Sequence, residues 1–333
     1  MKHNRRISYG WLLAVLVGIT AAAVFLGLRY GSAGLTCKQV LQGLLRPKHQ
    51  SVYTNIIYVV RLPRITGCLL AGIGLAVSGV LLQTATNNPL AGPNIIGVNA
   101  GAGFAMILGL CVAPMAYRLT PLMAFAGAFC CTGLIVAVAN RAGGSRIAIV
   151  LSGVAVSTLL SAGISMLKLL YPDLAITYNY FSVGGVSGVT FPQMVLPGCM
   201  ILGVLIVSIL LSPRLNLLCL GDAMAQGLGV RAKALRTLAL LLASASAAAA
   251  VSFAGLLGFV GLMVPHMARY LTGSGNPGKN LPVSALLGGT LVLLADLMGR
   301  VVFAPSEIPA GIITALIGAP FFFVLLLQRR NRI

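Results

Sequence analysis

Ten apolar segments divide this chain, at about residues 11–28, 64–86, 94–113, 119–139, 147–170, 194–212, 237–257, 259–271, 281–303 and 309–327. Most are long enough to cross roughly 30 Å of hydrocarbon at about 1.5 Å of helix per residue. Only 8% of the residues are charged, against roughly 25% in a soluble domain, so no water-soluble fold could cover this apolar surface. In lipid, every backbone N–H and C=O must find its partner inside the protein, and for segments of this length that means helices. The pattern predicts an all-α polytopic membrane protein of about ten transmembrane helices, with residues 1–333 as one domain. The eighth segment is too short to cross alone and is expected to share its span with the Gly-rich turn before it.

The net charge of +19 does not point to nucleic acid, because the basic residues flank apolar runs and form no continuous stripe. An even number of crossings puts both termini on one side. Lys2, Arg5 and Arg6 lie there, with Arg141 and Arg146, Arg214, Arg231, Lys233 and Arg236, Arg269 and Lys279, and Arg329, Arg330 and Arg332. The positive-inside trend makes that side the cytoplasm. The first segment follows a basic start without a convincing cleavage site, so it reads as a retained helix. Arg29, Lys38, Arg46, Lys48, Arg61 and Arg64 fall on the outside against the trend. Contact with lipid headgroups or docking of an acidic soluble partner would each account for them. Two extracytoplasmic loops follow from this arrangement, 29–63 and 171–193, the second read as a short interfacial helix and a Gly-rich turn. The long cytoplasmic loop, 213–236, is expected to hold one or two short helices.

Several motifs invite chemistry and fail to supply it. Residues 273–279 begin like a phosphate-binding loop, but Asn280 stands where a Mg²⁺-binding hydroxyl is needed, and no strand precedes the glycines. The segment reads as a tight turn. Most of the cysteines sit in apolar runs, and the adjacent Cys130 and Cys131 lack metal-ligand spacing. His266 reads as a structural histidine near a helix break. Asp296 and Arg300 are spaced to meet on one helix face, with Glu307 just beyond. Gly67, Ala71 and Gly79, Gly97 and Gly101, and Gly255, Gly258 and Gly261 have the spacing of close helix packing. No catalytic residues and no metal ligands emerge, so the chain reads as a transport scaffold driven by energy from elsewhere.

The strongest local signal is the break at Asn87-Asn88-Pro89, between an apolar run opened by Arg61 and Arg64 and a Gly-rich run after Pro93. With RLPR at 61–64 it forms a series of blocks: SGVLLQTATNNPLAGPNIIGVNAGA at 78–102, LGDAMAQGLGV at 220–230, GFVGLMVPHMAR at 258–269, ADLMGR at 295–300 and PSEIPAGIITALIGAPFF at 305–322. In this order the blocks resemble the FecCD family, the permease subunits of bacterial ABC importers for iron-siderophores, haem and vitamin B12. The resemblance implies a type II ABC importer permease fold in the bacterial inner membrane. It implies a second permease subunit, a cytosolic ATPase dimer holding ATP and Mg²⁺, and an extracytoplasmic substrate-binding protein. On this basis the chain itself is not an enzyme and binds no cofactor.

Residue by residue, the resemblance assigns Gly221, Asp222, Ala225 and Gly229 to ATPase coupling. It assigns Arg61, Arg64 and Arg300 to docking carboxylates of the binding protein, and reversing the charges of Arg61 and Arg64 is expected to weaken docking with folding intact. Asn88 and Leu90, with Gly144 and Ser145, match an inner constriction that would gate the pathway. The family often carries Trp near the positions of Phe181 and Phe191, so a substrate contact there does not carry over. Cobalamin or haem are alternative cargoes within the family. A secondary transporter is the alternative from another class, suited by the helix breaks and opposed by the scarcity of membrane acids. A non-transporting membrane scaffold would leave the gate-like break unexplained.

Overall fold

The computed structural model describes residues 8–31, 34–45, 51–302 and 304–330. Lys2, Arg5, Arg6, Arg46, Lys48 and Arg332, used above in the charge pattern, lie outside the described residues, as do the side chains of Arg329 and Arg330.

The described residues form helices joined by short turns. In chain order these are α1 (Tyr9–Arg29), α2 (Cys37–Leu45), α3 (Val52–Asn55), α4 (Leu62–Thr86), α5 (Val98–Val112), α6 (Thr120–Arg141), α7 (Arg146–Leu170) and α8 (Pro172–Val183). They continue with α9 (Phe191–Leu210), α10 (Ser212–Leu218), α11 (Asp222–Gly227), α12 (Ala232–Ala254), α13 (Val260–Thr272), α14 (Pro277–Val301) and α15 (Ala310–Arg330). Seven helical runs among the described residues are long and apolar enough to cross a membrane, and α5 and α15 contain shorter apolar helices. With α13 they account for the ten apolar segments. The all-α polytopic expectation is met, but three of the ten fall short of a full straight span.

α4, α12 and α14 form the enclosed centre, whereas α1, α7 and α9 turn most of their surface outward. The outward faces remain apolar, as at Leu151, Leu159, Leu196 and Ile206, because the solvent they meet is hydrocarbon. Small residues bring the central helices together. A Cβ on Gly72 would lie 2.1 Å from the Gly288 carbonyl oxygen, and one on Gly79 would lie 1.9 Å from that of Gly261. Backbone therefore meets backbone where α4 crosses α14 and α13. Of the expected packing glycines, Gly258 has open space around it; it belongs to a break in the helix.

The loop boundaries differ from expectation at one place. The segment 29–63 is not a loop up to Arg61. A π-helical turn over Ile56–Arg61 joins α3 to α4, giving one helical run from Val52 to Thr86. Arg61 and Arg64 thus sit on a helix. The wide turn absorbs an additional residue without breaking the run, and Pro63 falls in the first turn of α4, where it takes no hydrogen bond from the helix.

Other expectations hold locally. Residues 171–193 contain α8 and a turn with Gly184 and Gly188 at positive φ. Residues 213–236 contain most of α10 and all of α11. The 273–279 segment is the tight turn before α14: Asn276 Oδ1 accepts from the Gly278 N–H at 2.8 Å, and Asn280 donates to the Ser274 carbonyl at 2.9 Å.

Candidate functional site

Two segments of this protein leave helical geometry inside the packed core, and they face each other. The first begins where α4 ends. Asn87 adopts a left-handed conformation (φ 48°), a role that Asn tolerates better than most residues. The Asn88 side chain then accepts from the Leu90 N–H at 2.9 Å, holding the turn. The chain runs back through Pro89 to Gly92, makes one 3₁₀ turn over Pro93–Ile96, and enters α5 through Gly97. Its carbonyls are satisfied or tightly packed. Thr132 on α6 donates to the Ile96 carbonyl at 2.9 Å, and a Cβ on Gly153 of α7 would collide with the Ile95 carbonyl at 1.9 Å.

The second segment links α12 to α13. Gly255 (φ 66°) and Phe259 (φ 64°) bracket an unwound stretch. Its backbone is tied to the turn after α8: the Leu256 N–H donates to the Phe181 carbonyl at 3.0 Å, and Gly185 to that of Ala254 at 2.8 Å. Phe181 therefore acts here through its backbone. Phe191 is exposed at the start of α9. Gln83 of α4 donates to the Leu262 carbonyl at 3.3 Å, tying the helix that ends at the first break to α13, which begins after the second. The short eighth segment thus shares its crossing with the unwound stretch, as the sequence suggested.

Between the breaks lies a cavity of about 200 Å³, lined by Leu75, Leu90, Pro93, Asn94, Asn99, Leu257, Phe259 and Leu262 among others. A much smaller one, with room for about one water molecule, shares Leu90, Phe259 and Leu262 and reaches Pro89, His266, Phe321 and Phe322. Irregular backbone at membrane depth is tolerated where it is buried in protein or lines a cavity, and this backbone does both. Leu90, Phe259 and Leu262 line both spaces. His266 borders the smaller one, close to the helix break where the sequence reading put it.

Charged groups gather at both ends of the core. At the end where α4 begins, Arg61, Arg64 and Arg300 come together and are 3%, 7% and 3% exposed. Arg64 Nε lies 3.0 Å and Nη2 2.9 Å from Asp296 Oδ1, and Nη1 lies 2.8 Å from Glu307. Arg300 Nε stands 3.0 Å from Asp296 Oδ2, the i,i+4 pair expected from spacing. Arg61 donates to the Leu28 carbonyl of α1. Three cations and two anions thus knot α1, α4, α14 and the 307 turn. The structure brings the three arginines together, but as interior groups. Reversing Arg61 and Arg64 cannot leave the fold untouched: it would replace these cations with buried acids, one of them facing Asp296 and Glu307.

At the opposite end, Asp222 opens α11. Its carboxylate accepts from Arg236 of α12, and from Arg146 of α7 at 3.2 Å. Arg236 also donates to the Gly144 carbonyl at 3.2 Å, and Ser145 caps α7 by accepting from the Ala148 N–H at 3.0 Å. The Arg236 guanidinium, helped by Arg146, holds the Asp222 carboxyl below the usual carboxylate range against the opposing effect of burial. Gly221 (φ 97°) and Gly229 (φ 80°) start and stop α11, and Ala225 is its buried anchor. The structure therefore joins Gly144 and Ser145 to Asp222, while Leu90 belongs to the cavities. Sequence reasoning passed over Arg146 and Arg236 as functional residues. With only four acids in the chain, a search for the cationic partners of each would have found them.

Residues 19–328 match the FecCD transport family, and the chain belongs to it. It is 35% identical to the Fe(3+)-citrate import system permease protein YfmE of Bacillus subtilis (strain 168), over 98% of both chains. It is 35% identical to the ferric enterobactin transport system permease protein FepD of Escherichia coli (strain K12), over 99% of this chain and 97% of that one. It is 31% identical to the hemin transport system permease protein HmuU of Yersinia pestis, over 98% and 97%. Among solved structures, a chain of a metal-chelate type ABC transporter in an inward-facing conformation superposes with a TM-score of 0.83. The two are 32% identical, and the match covers 95% of this chain and 98% of that one.

Proposed function

We propose that this chain is the membrane permease subunit of an ATP-driven importer that carries a ferric siderophore or a related iron chelate into the bacterial cytoplasm. The observation that carries the proposal is the pair of unwound segments facing a shared cavity beside α4, with Leu90, Phe259 and Leu262 common to it and the smaller pocket. A chelate passing there would meet mostly apolar side chains with Asn94 and Asn99 as hydrogen-bonding groups. The named cargoes of the relatives, ferric citrate and ferric enterobactin, support the substrate class. Haem is the second reading, favoured by the hemin relative.

The energy would come from a cytosolic ATPase dimer seated on the 213–236 loop, with Gly221, Asp222, Ala225 and Gly229 shaping the docking helix. Both termini would then be cytoplasmic. An extracytoplasmic binding protein and a second permease subunit would complete the importer in the cytoplasmic membrane. Arg61, Arg64 and Arg300 would serve the binding protein from within, by fixing the α1–α4–α14 surface on which it sits and lending it an excess positive charge. Asn88 and Leu90 would gate the cavity, and Gly144 with Ser145 would respond to the ATPase.

Deleting the chain in its own host and measuring uptake of radiolabelled iron as citrate, catecholate, hydroxamate or haem tests this. Loss of uptake for one iron chelate, with co-purification of an ATPase, is expected. Uptake driven by a proton or sodium gradient in vesicles lacking ATP would overturn it in favour of a secondary transporter.

A further inference from the structure

The side chain that joins the two parts of the 213–236 end is not one of the coupling residues named so far. Arg236 lies in the second turn of α12, a helix enclosed by its neighbours, and its side chain is 6% exposed. One arm of its guanidinium holds the Gly144 carbonyl at 3.2 Å and the other holds the Asp222 carboxylate. Gly144 lies in the turn between α6 and α7, whereas Asp222 is the first residue of α11. The two are 78 residues apart in number, about 80, and meet through this one planar fork.

Lys233, one turn earlier on α12, closes the same turn from above: a Cβ on Gly144 would lie 3.0 Å from its Cε. Arg146 binds Asp222 from the first turn of α7. The Arg236 Nε is buried without a hydrogen-bond partner. The fork therefore retains a donor for an additional acceptor when the turn or α11 shifts.

We propose that Arg236 is the positioning residue that passes displacement of α11 to the Gly143–Gly144 turn. A charged donor shared between a carboxylate and a backbone carbonyl is stiffer than a packing contact, because each bond is directional and the guanidinium itself, only 6% exposed, has little water to turn to. A shift of α11 pulls Asp222, Asp222 turns the guanidinium, and the guanidinium pulls the Gly144 carbonyl at the head of α7. α7 in turn presents Gly153 against the Ile95 carbonyl of the first unwound segment. The path from the surface helix to the cavity wall is thus continuous through packed groups. The inference rests on reading 213–236 as the ATPase-docking loop.

The test is hydrogen–deuterium exchange on the full chain in lipid nanodiscs, following peptides that cover 142–148 and 222–230. Arg236→Ala is expected to raise exchange about tenfold or more in both peptides together. Arg146→Ala is expected to raise it in 222–230 alone. Arg236→Lys keeps one of the two bonds and should give a smaller, single-sided rise. A rise in only one peptide for Arg236→Ala, or in neither, overturns the link. If Arg236→Ala also loosens α14, the Lys variant decides, and a Lys variant indistinguishable from wild type in both peptides overturns the proposal. With the partner ATPase, Arg236→Ala should retain co-purification while uptake per ATP falls about tenfold or more. Failure of the wild-type chain to bring down an ATPase would instead remove the docking reading and leave the exchange result standing.

Discussion

The two charged clusters of this protein use the same groups to opposite ends. At the Arg61 end, Asp296 is 2% exposed and is shared between Arg64 and Arg300, all on long helices. At the Asp222 end, the carboxylate is 43% exposed and opens a six-residue helix between two glycines. The first cluster sits in low dielectric, where loss of one partner leaves a buried charge uncompensated. The second borders solvent, where water can replace a lost partner. One cluster is suited to hold helices still, and the other to let a short element move while staying attached.

The largest effect should come from the buried cluster. Arg64→Ala strands Glu307 and leaves Asp296 with Arg300 alone, at an expected cost of about 3–5 kcal/mol. Thermal unfolding in detergent reads this as a large drop in Tm, and an unchanged Tm would erase the contrast. Gly144→Ala comes next, at about 1–2 kcal/mol, because its φ of 70° penalises any Cβ and Lys233 must give way. The same measurement should place it between the clusters. Asp222→Asn should cost about 1 kcal/mol or less, since the group is substantially exposed, yet it should lower uptake per ATP. A stability loss matching that of Arg64→Ala would make the two ends equivalent.

The smallest effect concerns pH. Arg236 and Arg146 depress the Asp222 carboxyl, so its contribution is fully present above the ordinary aspartate pKa of about 3.9. That contribution is lost as pH falls from there through the depressed folded value. Protection in 222–230, taken relative to the intrinsic amide exchange rate at each pH, should therefore fall in acid for wild type and stay flat for Asp222→Asn. A wild-type loss of protection near neutral pH would contradict the pairing.

Much of the fold was legible in order. The hydropathy runs located the apolar helices to within a few residues. Asn87-Asn88-Pro89 and the Gly-rich turn before the eighth segment marked both breaks, although Gly255 and Gly258 individually read as packing glycines. The 213–236 loop yielded its short helices because Gly221 and Gly229 punctuate it. Less legible was the start of α4: the basic, mixed character of 29–63 read as loop, while a π-turn carried the helix back to Val52. The three arginines were recognised as a group, but nothing local indicated their burial. Arg236 was counted only as one of several cytoplasmic charges.

The sequence by itself determined that this chain is a bundle of lipid-facing helices and where most of them start and stop, because hydropathy, Gly, Pro and Asn act on neighbouring residues. Apart from the i,i+4 pair of Asp296 and Arg300, only the tertiary structure decided which charges are partners. Arg64 and Asp296 are 232 residues apart, and they meet because Gly72 and Gly288 let α4 and α14 touch backbone to backbone. The cavity is likewise a product of packing: its two walls are separate breaks in the chain, and they become one site when both pack beside Leu75 of α4 and Gln83 reaches the Leu262 carbonyl. Ion pairing and enclosure fall off over a few ångströms, so distance in space, which the order of residues does not state, assigned these roles.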